Sequence, residues 1–126
     1  MNFPENLKYT KDHEWILAEG KTGTVGITEH AQGELGDVVF VELPSVGKSL
    51  KQHDSFGTIE AVKAVSDLYA PVAGTVAEVN EDLAAAPEAV NKDPYGKGWM
   101  IKITIVNPQE LASLMDAATY RKLIGK

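Results

Sequence analysis

The sequence predicts a mainly β fold with short helices (α+β): a small flattened barrel or sandwich with helices at its periphery. Three observations predict it. Short β-type runs recur along the chain, each bounded by Gly, Pro, Asn or Asp. Helical spacing is confined to brief stretches between them and to the C-terminal end. At 126 residues, 44% hydrophobic and 24% charged, the chain can bury one core but not two. The expected organisation is a single domain over 1–126, with an N-terminal hairpin extension and C-terminal helices.

Taken in order, residues 8–10 form a short edge strand. A strand over 14–18 turns through Glu19, Gly20, Lys21 and Thr22 into a strand over 23–27. Thr28 is placed to cap a short helix over 29–34, which Gly36 ends. A strong strand over 38–43 stops at Pro44, and a brief extended piece covers 49–51. Two runs, 55–62 and 65–70, then make a hairpin, followed by a strand over 74–79. Asn80 can cap a helix over 82–86, and Pro87 restarts a helical turn at its first position. Residues 91–98 are dense in turn formers, and 99–106 read as a strand. Asn107, Pro108 and Glu110 make a helix start, and Leu111, Leu114, Met115 and Ala118 lie at helical spacing after it. Asp116 is placed to cap a second helix carrying Tyr120, Leu123 and Ile124. A faint internal echo links Leu43-Pro44-Ser45-Val46-Gly47 to Ala70-Pro71-Val72-Ala73-Gly74 and hints at two similar halves.

Composition narrows the chemistry. The net charge is −6 with acids and bases interspersed, which leaves no basic face for nucleic acid. There is no cysteine, so thiolate catalysis, disulfides and cysteine metal sites are excluded. His13, His30 and His53 fit no zinc spacing. Neither a nucleophile elbow nor a phosphate-binding glycine loop occurs. No apolar run is long enough to span a bilayer. The start, Met1-Asn2-Phe3-Pro4-Glu5, resembles neither a signal peptide nor a transit sequence. The expected setting is therefore cytoplasmic, or the mitochondrial matrix for a processed eukaryotic form.

The hairpin is where the sequence departs from ordinary stability rules. The simplest pairing leaves Lys63 and Ala64 as its loop, although such a loop prefers Asn-Gly or Gly-X. That register sets Ile59 against Leu68, Val62 against Val65, and Glu60 against Asp67. Like charges directly across a ladder cost roughly 0.2–1 kcal/mol. A lysine at a turn is usually only solvated; the alternative is a lysine presented for another enzyme to acylate.

Glu60-Ala61-Val62-Lys63-Ala64-Val65-Ser66-Asp67 resembles the lipoyl-lysine hairpin shared by lipoyl domains and the glycine cleavage H-protein family. The related biotin hairpin carries methionine on both sides of its lysine, where this chain has Val62 and Ala64. Resemblance to the H-protein family extends over nearly the whole chain. It is carried by Tyr9-Thr10 with His13-Glu14-Trp15, by Val25-Gly26-Ile27-Thr28-Glu29-His30-Ala31-Gln32, by Leu35-Gly36-Asp37-Val38-Val39-Phe40-Val41-Glu42-Leu43-Pro44, and by Asn91 with Pro94-Tyr95-Gly96 and Gly98-Trp99-Met100. Ala61 stands where the family usually has serine, and Val65 where it has a smaller or hydroxylic residue.

What the resemblance implies is a fold of the lipoyl/biotinyl type and a carrier, not an enzyme. Lipoate would be bound covalently to Lys63, on an arm reaching roughly 14 Å by standard bond lengths. In the family, the arm takes an aminomethyl group from glycine at a pyridoxal-phosphate glycine decarboxylase (P protein). It passes the one-carbon unit to an aminomethyltransferase (T protein), and dihydrolipoyl dehydrogenase (L protein) reoxidises it. A lipoate ligase or lipoyl transferase would load it. Glu14 and Asp67 match acids lining the arm's cleft. Glu60 belongs to the hairpin that is read on loading, and His30 and Glu34 are further lining candidates. A monomer without membrane or nucleic-acid partners is expected. Three other readings share the lysine or the fold: a lipoyl domain of an acyltransferase complex, whose flexible Ala/Pro linkers this sequence lacks; a scaffold; and a relay that donates lipoate to other complexes.

Overall fold

The computed structural model describes residues 2–126. Strands β1 (Lys8–Tyr9), β2 (Glu14–Glu19) and β3 (Thr22–Ile27) lead into helix α1 (Glu29–Leu35). β4 (Val38–Glu42), β5 (Ser49–Leu50), β6 (Ser55–Ala61), β7 (Val65–Tyr69) and β8 (Gly74–Val79) follow. Two single-turn helices, α2 (Asp82–Ala85) and α3 (Ala89–Lys92), precede β9 (Ile101–Ile105). A 3-10 turn (Pro108–Ser113) and helix α4 (Ala117–Leu123) complete the chain.

All ladders are antiparallel. They form a six-stranded sheet, β1-β2-β3-β9-β8-β5, and a three-stranded sheet, β4-β6-β7. One apolar core joins the two. Ile16, Val25, Ile101 and Ile103 from the larger sheet and Val41, Phe56, Ile59 and Leu68 from the smaller all belong to it. Burying side chains of this size stabilises by roughly 1.5–3 kcal/mol each. The mainly β architecture with short peripheral helices is thus the one expected. The internal echo has a structural counterpart: both proline turns carry the chain from the small sheet to the large one, β4 to β5 and β7 to β8, and β5 and β8 then pair.

Local signals account for several boundaries. Thr28 caps α1 by accepting from the Ala31 N–H, and Gly36 ends it at φ 83°. Trp15 lies across from Gly26. A Cβ at that glycine would come within 2.7 Å of the indole, so only hydrogen there lets the ring lie flat on its neighbour strand.

Two expectations need correction. The hairpin register is shifted: Glu60 faces Val65, Ile59 faces Ser66 and Thr58 faces Asp67. Val62 and Lys63, not Lys63 and Ala64, are the loop, because the Ala61 N–H donates to the Ala64 carbonyl at 2.8 Å. Glu60 and Asp67 therefore do not oppose each other, and no like-charge cost arises there. The shift equals two residues, so Ile59 and Leu68 keep the same inward face and both stay buried. The second correction concerns the C-terminal stripe. Pro108–Ser113 is only a 3-10 turn, and Asn107 makes no side-chain cap. Leu114 turns extended, and Met115 exchanges backbone hydrogen bonds with Tyr9 at 2.8 and 2.9 Å. Pairing to the edge of β1 outweighs the local helical preference. Glu110 uses its carboxylate to accept the Ala73 N–H at 2.7 Å. Asp116 does cap α4, accepting from Thr119.

The chain ends meet in a second cluster of Phe3, Leu7, Tyr9, Trp15, Ala117 and Tyr120. Tyr120 stacks on Tyr9 with ring centroids 4.8 Å apart and meets Phe3 edge-on at 5.5 Å. Its hydroxyl lies 2.8 Å from both Thr28 Oγ1 and His13 Nδ1. Tyr120→Ala is expected to destabilise the fold by roughly 3–5 kcal/mol, read as a lowered denaturant midpoint. Tyr120→Phe keeps the ring packing and should cost less, about 1–3 kcal/mol for the lost bonds.

Candidate functional site

The tip of the β6–β7 hairpin is exposed, with Val62 at 73% and Val65 at 66%. Non-glycine residues with positive φ are only His13 and His53 among those described, so Val62 and Lys63 form no primed turn. Support comes from outside the hairpin: the Val62 N–H donates to the Asp37 carbonyl at 3.0 Å. The Asp37 segment is itself held. Asn91 donates to the Gly36 carbonyl at 2.8 Å and to Gln32 Oε1 at 2.9 Å, and accepts the Val38 N–H at 2.9 Å. Lys63 stands exposed at this braced tip and enters neither of the two ion pairs among the described residues. Its aliphatic stem lies over the bare Cα of Gly36.

Beside the tip is a cleft of about 150 Å³. Asp12, His13 and Glu14 form one wall at the start of β2. Ala31, Glu34 and Leu35 of α1 form another, and Ser66, Asp67 and Leu68 of β7 a third. Ile27 and Ile59 complete its apolar lining. Among the described residues, four carboxyl groups and one imidazole line it, with no lysine or arginine. Such a lining favours a small cation with an apolar stem.

Glu14 is 2% exposed. Oε1 accepts from the Thr10 hydroxyl at 2.9 Å and Oε2 from the Tyr69 N–H at 3.1 Å, so the carboxyl ties β2 to β7. Burial pushes its pKa up to about 8 against the opposing pull of those two bonds. At neutral pH it is thus held largely in its neutral form. Asp67 is exposed, and its Oδ2 lies 3.5 Å from the Tyr69 hydroxyl. The Asp67 charge raises the Tyr69 pKa.

His13 sits at φ 68°, held by the Thr28 N–H donating to its carbonyl at 3.0 Å. The Tyr120 hydroxyl engages its Nδ1, and its ring centroid is 5.0 Å from that of His30. Burial first, and His30 second, lower its pKa. His30 Nε2 lies 3.7 Å from Glu34 Oε1, one helical turn along α1.

The structure therefore brings Glu14, Glu34 and Asp67 to one cleft, with Lys63 beside it. His30 supports Glu34 from behind and does not line the space. Glu60 lies on the outer face of the small sheet, in a row between Phe40 and Val65, and away from the cleft. The sequence does not single out Asp12, and it offers His13 only as a histidine without zinc spacing next to Glu14. The adjacency of His13 to Glu14 was the available signal, but only the Tyr120 contact shows which way the ring is held.

A family model described as "Glycine cleavage H-protein" matches residues 7–126. A glycine cleavage system H protein from Chlorobium limicola is 60% identical, with 100% of each chain covered. One from Symbiobacterium thermophilum is 59% identical over 94% of this chain and 93% of its own. The crystal structure of a glycine cleavage system H protein from Mycobacterium marinum superposes with a TM-score of 0.91 at 38% identity, covering 98% of this chain and 100% of that one.

Proposed function

This chain belongs to the glycine cleavage H-protein family, and from that premise we propose that it works as the lipoate carrier of the glycine cleavage system with Lys63 as the attachment residue. It is a carrier component of that system. When bound to Lys63, lipoate would supply the dithiolane disulfide that takes the aminomethyl load and is left as a dithiol once the load is given up; the chain itself supplies presentation and shelter.

One observation carries the residue assignment. Lys63 is exposed on a tip braced by Asp37 and has no ion-pair partner among the described residues, while an acidic cleft with an apolar floor opens beside it. An enzyme can reach such an amine. Acylation removes its charge without uncovering a buried partner. Asp67, Asp12 and Glu34 offer negative charge to a cationic amine at the end of the arm. Glu14, held largely neutral, works differently: it fixes β7 against β2 and so sets the width of the cleft. Ile27, Ile59 and Leu68 give the arm's hydrocarbon an apolar bed and limit water there. Glu60, on the outer face, is placed for recognition by the loading enzyme.

The partners on this reading are glycine decarboxylase, aminomethyltransferase, dihydrolipoyl dehydrogenase and a lipoate ligase or lipoyl transferase. On this reading the carrier works in the cytoplasm, a setting that its bacterial relatives support. A relay role is not favoured by relatives that carry the glycine cleavage name. Incubation with lipoate, ATP and a lipoate ligase, followed by intact-mass measurement and peptide mapping, should locate one adduct on Lys63. The loaded protein should then support glycine cleavage with the three purified partner enzymes. An adduct elsewhere, or a loaded protein inactive with those partners, would overturn the assignment.

A further inference from the structure

Gly36 has two properties that its role as helix terminator does not explain together. Its backbone sits at φ 83°, ψ −158°, a region that residues with a side chain avoid. A Cβ built there would lie 3.5, 3.6 and 3.9 Å from Cε, Cδ and Cγ of Lys63. The lysyl stem therefore runs along the face of Gly36 where a side chain would project. Helix termination needs only the dihedral angles. It does not need that face to be covered by the stem of a lysine from another element.

The residue is also fixed in place from both sides. Its carbonyl accepts from Asn91, and the next carbonyl, of Asp37, accepts from Val62 at the hairpin tip. Glu34 and Leu35, immediately before it, are part of the cleft wall. The stem thus lies on the side of the tip where the cleft begins.

We propose that Gly36 is the saddle of the arm: a positioning residue whose lack of any side chain longer than a methyl lets the Lys63 stem lie toward the α1 wall, so that the load at the arm's far end settles in the cleft and not in solvent. The proposal rests on the carrier reading above. Asn91 serves it from behind by pinning the saddle, without touching arm or load.

The test uses the full chain, lipoylated and loaded with aminomethyl. Hydrolysis of the load consumes one water and yields a free thiol, formaldehyde and ammonium, and formaldehyde release gives its rate. Gly36→Ala and Gly36→Asn both put a side chain at φ 83°, which asparagine bears somewhat better than alanine, so backbone strain works against the expected difference. The alanine Cβ makes only ordinary contact with the stem, whereas the asparagine amide occupies its path. Gly36→Asn is expected to leak about fivefold faster or more than Gly36→Ala, as shelter from water is lost. Equal rates in the two variants overturn the proposal. Should position 36 tolerate neither substitution, Asn91→Ser decides: faster leakage supports the saddle, and wild-type leakage sinks it. A readout independent of the load comes from NMR of the unmodified protein. Nuclear Overhauser contacts between the Lys63 ε-protons and the Gly36 α-protons are expected, and their absence rejects the proposal. If the wild-type protein leaks as fast as a small-molecule aminomethyl thiol, the sheltering cleft itself fails; if only the variants match a protected wild type, the saddle alone fails.

Discussion

Lys63→Arg is expected to abolish both lipoylation and carrier activity while leaving the fold unchanged. The ligase needs a nucleophilic amine, and a guanidinium is so basic that it stays protonated and delocalised. Arginine keeps the positive charge and a stem of similar length, so electrostatics at the tip are conserved. Stability should not move beyond about 0.5 kcal/mol, because the side chain is exposed and enters no ion pair among the described residues. Intact mass should show no adduct under conditions that fully modify the wild type, and glycine cleavage should fall to background. Residual lipoylation of the variant would place the attachment on another lysine.

The second large effect is on stability against pH, and it comes from Glu14. Its carboxyl is raised from an ordinary 4.5 to about 8 by burial. Between these values the folded protein holds a proton that the unfolded chain has released. Stability from this group is therefore full below about pH 4.5 and is lost as pH rises through about 8. At about 1.4 kcal/mol per pH unit, the whole loss amounts to a few kcal/mol. Glu14→Gln removes the titration and keeps an oxygen for the Tyr69 N–H. Its denaturant midpoint should be nearly flat where that of the wild type falls. His13, whose pKa is lowered, adds an opposite slope below its ordinary 6.5. The difference between the two proteins between pH 5 and pH 9, not the wild-type curve alone, is the measure. Parallel curves would show that Glu14 is solvated in solution. Glu14→Ala should be worse than Glu14→Gln at every pH, because it leaves the Tyr69 N–H and the Thr10 hydroxyl without their acceptor.

Local chemistry made much of the fold legible. Thr28 and Asp116 are capping residues by side-chain geometry, and Gly36 stops a helix by its backbone freedom, so each could be read from a few neighbours. The register of the central hairpin could not. It depends on the Asp37 carbonyl accepting from Val62, and on the Asn91 bonds that hold the Asp37 segment. Neither is visible in the hairpin's own residues. The C-terminal stripe was misread for a related reason: Leu114 and Met115 have helical spacing, but the free edge of β1 offers Met115 two backbone bonds. In the candidate site, Lys63, Glu14 and Asp67 stood out through the family pattern. Asp12 and His13 join them only because β2, α1 and β7 converge, and Tyr120 acts on His13 from 107 residues away.

The bond from the Tyr69 N–H to Glu14 bears on self-association as well. β7 is an outer strand of its sheet, and outer strands offer unpaired backbone groups on which another chain can build. Here a side chain from the same molecule already occupies one of those groups, and the Asp67 carboxylate stands exposed two residues earlier. A neighbouring copy seeking to extend the ladder would have to displace the first and approach the second. The Glu14 bond thus guards the margin of β7 against edge-to-edge polymerisation, and loss of that buried carboxyl would open it to its neighbours.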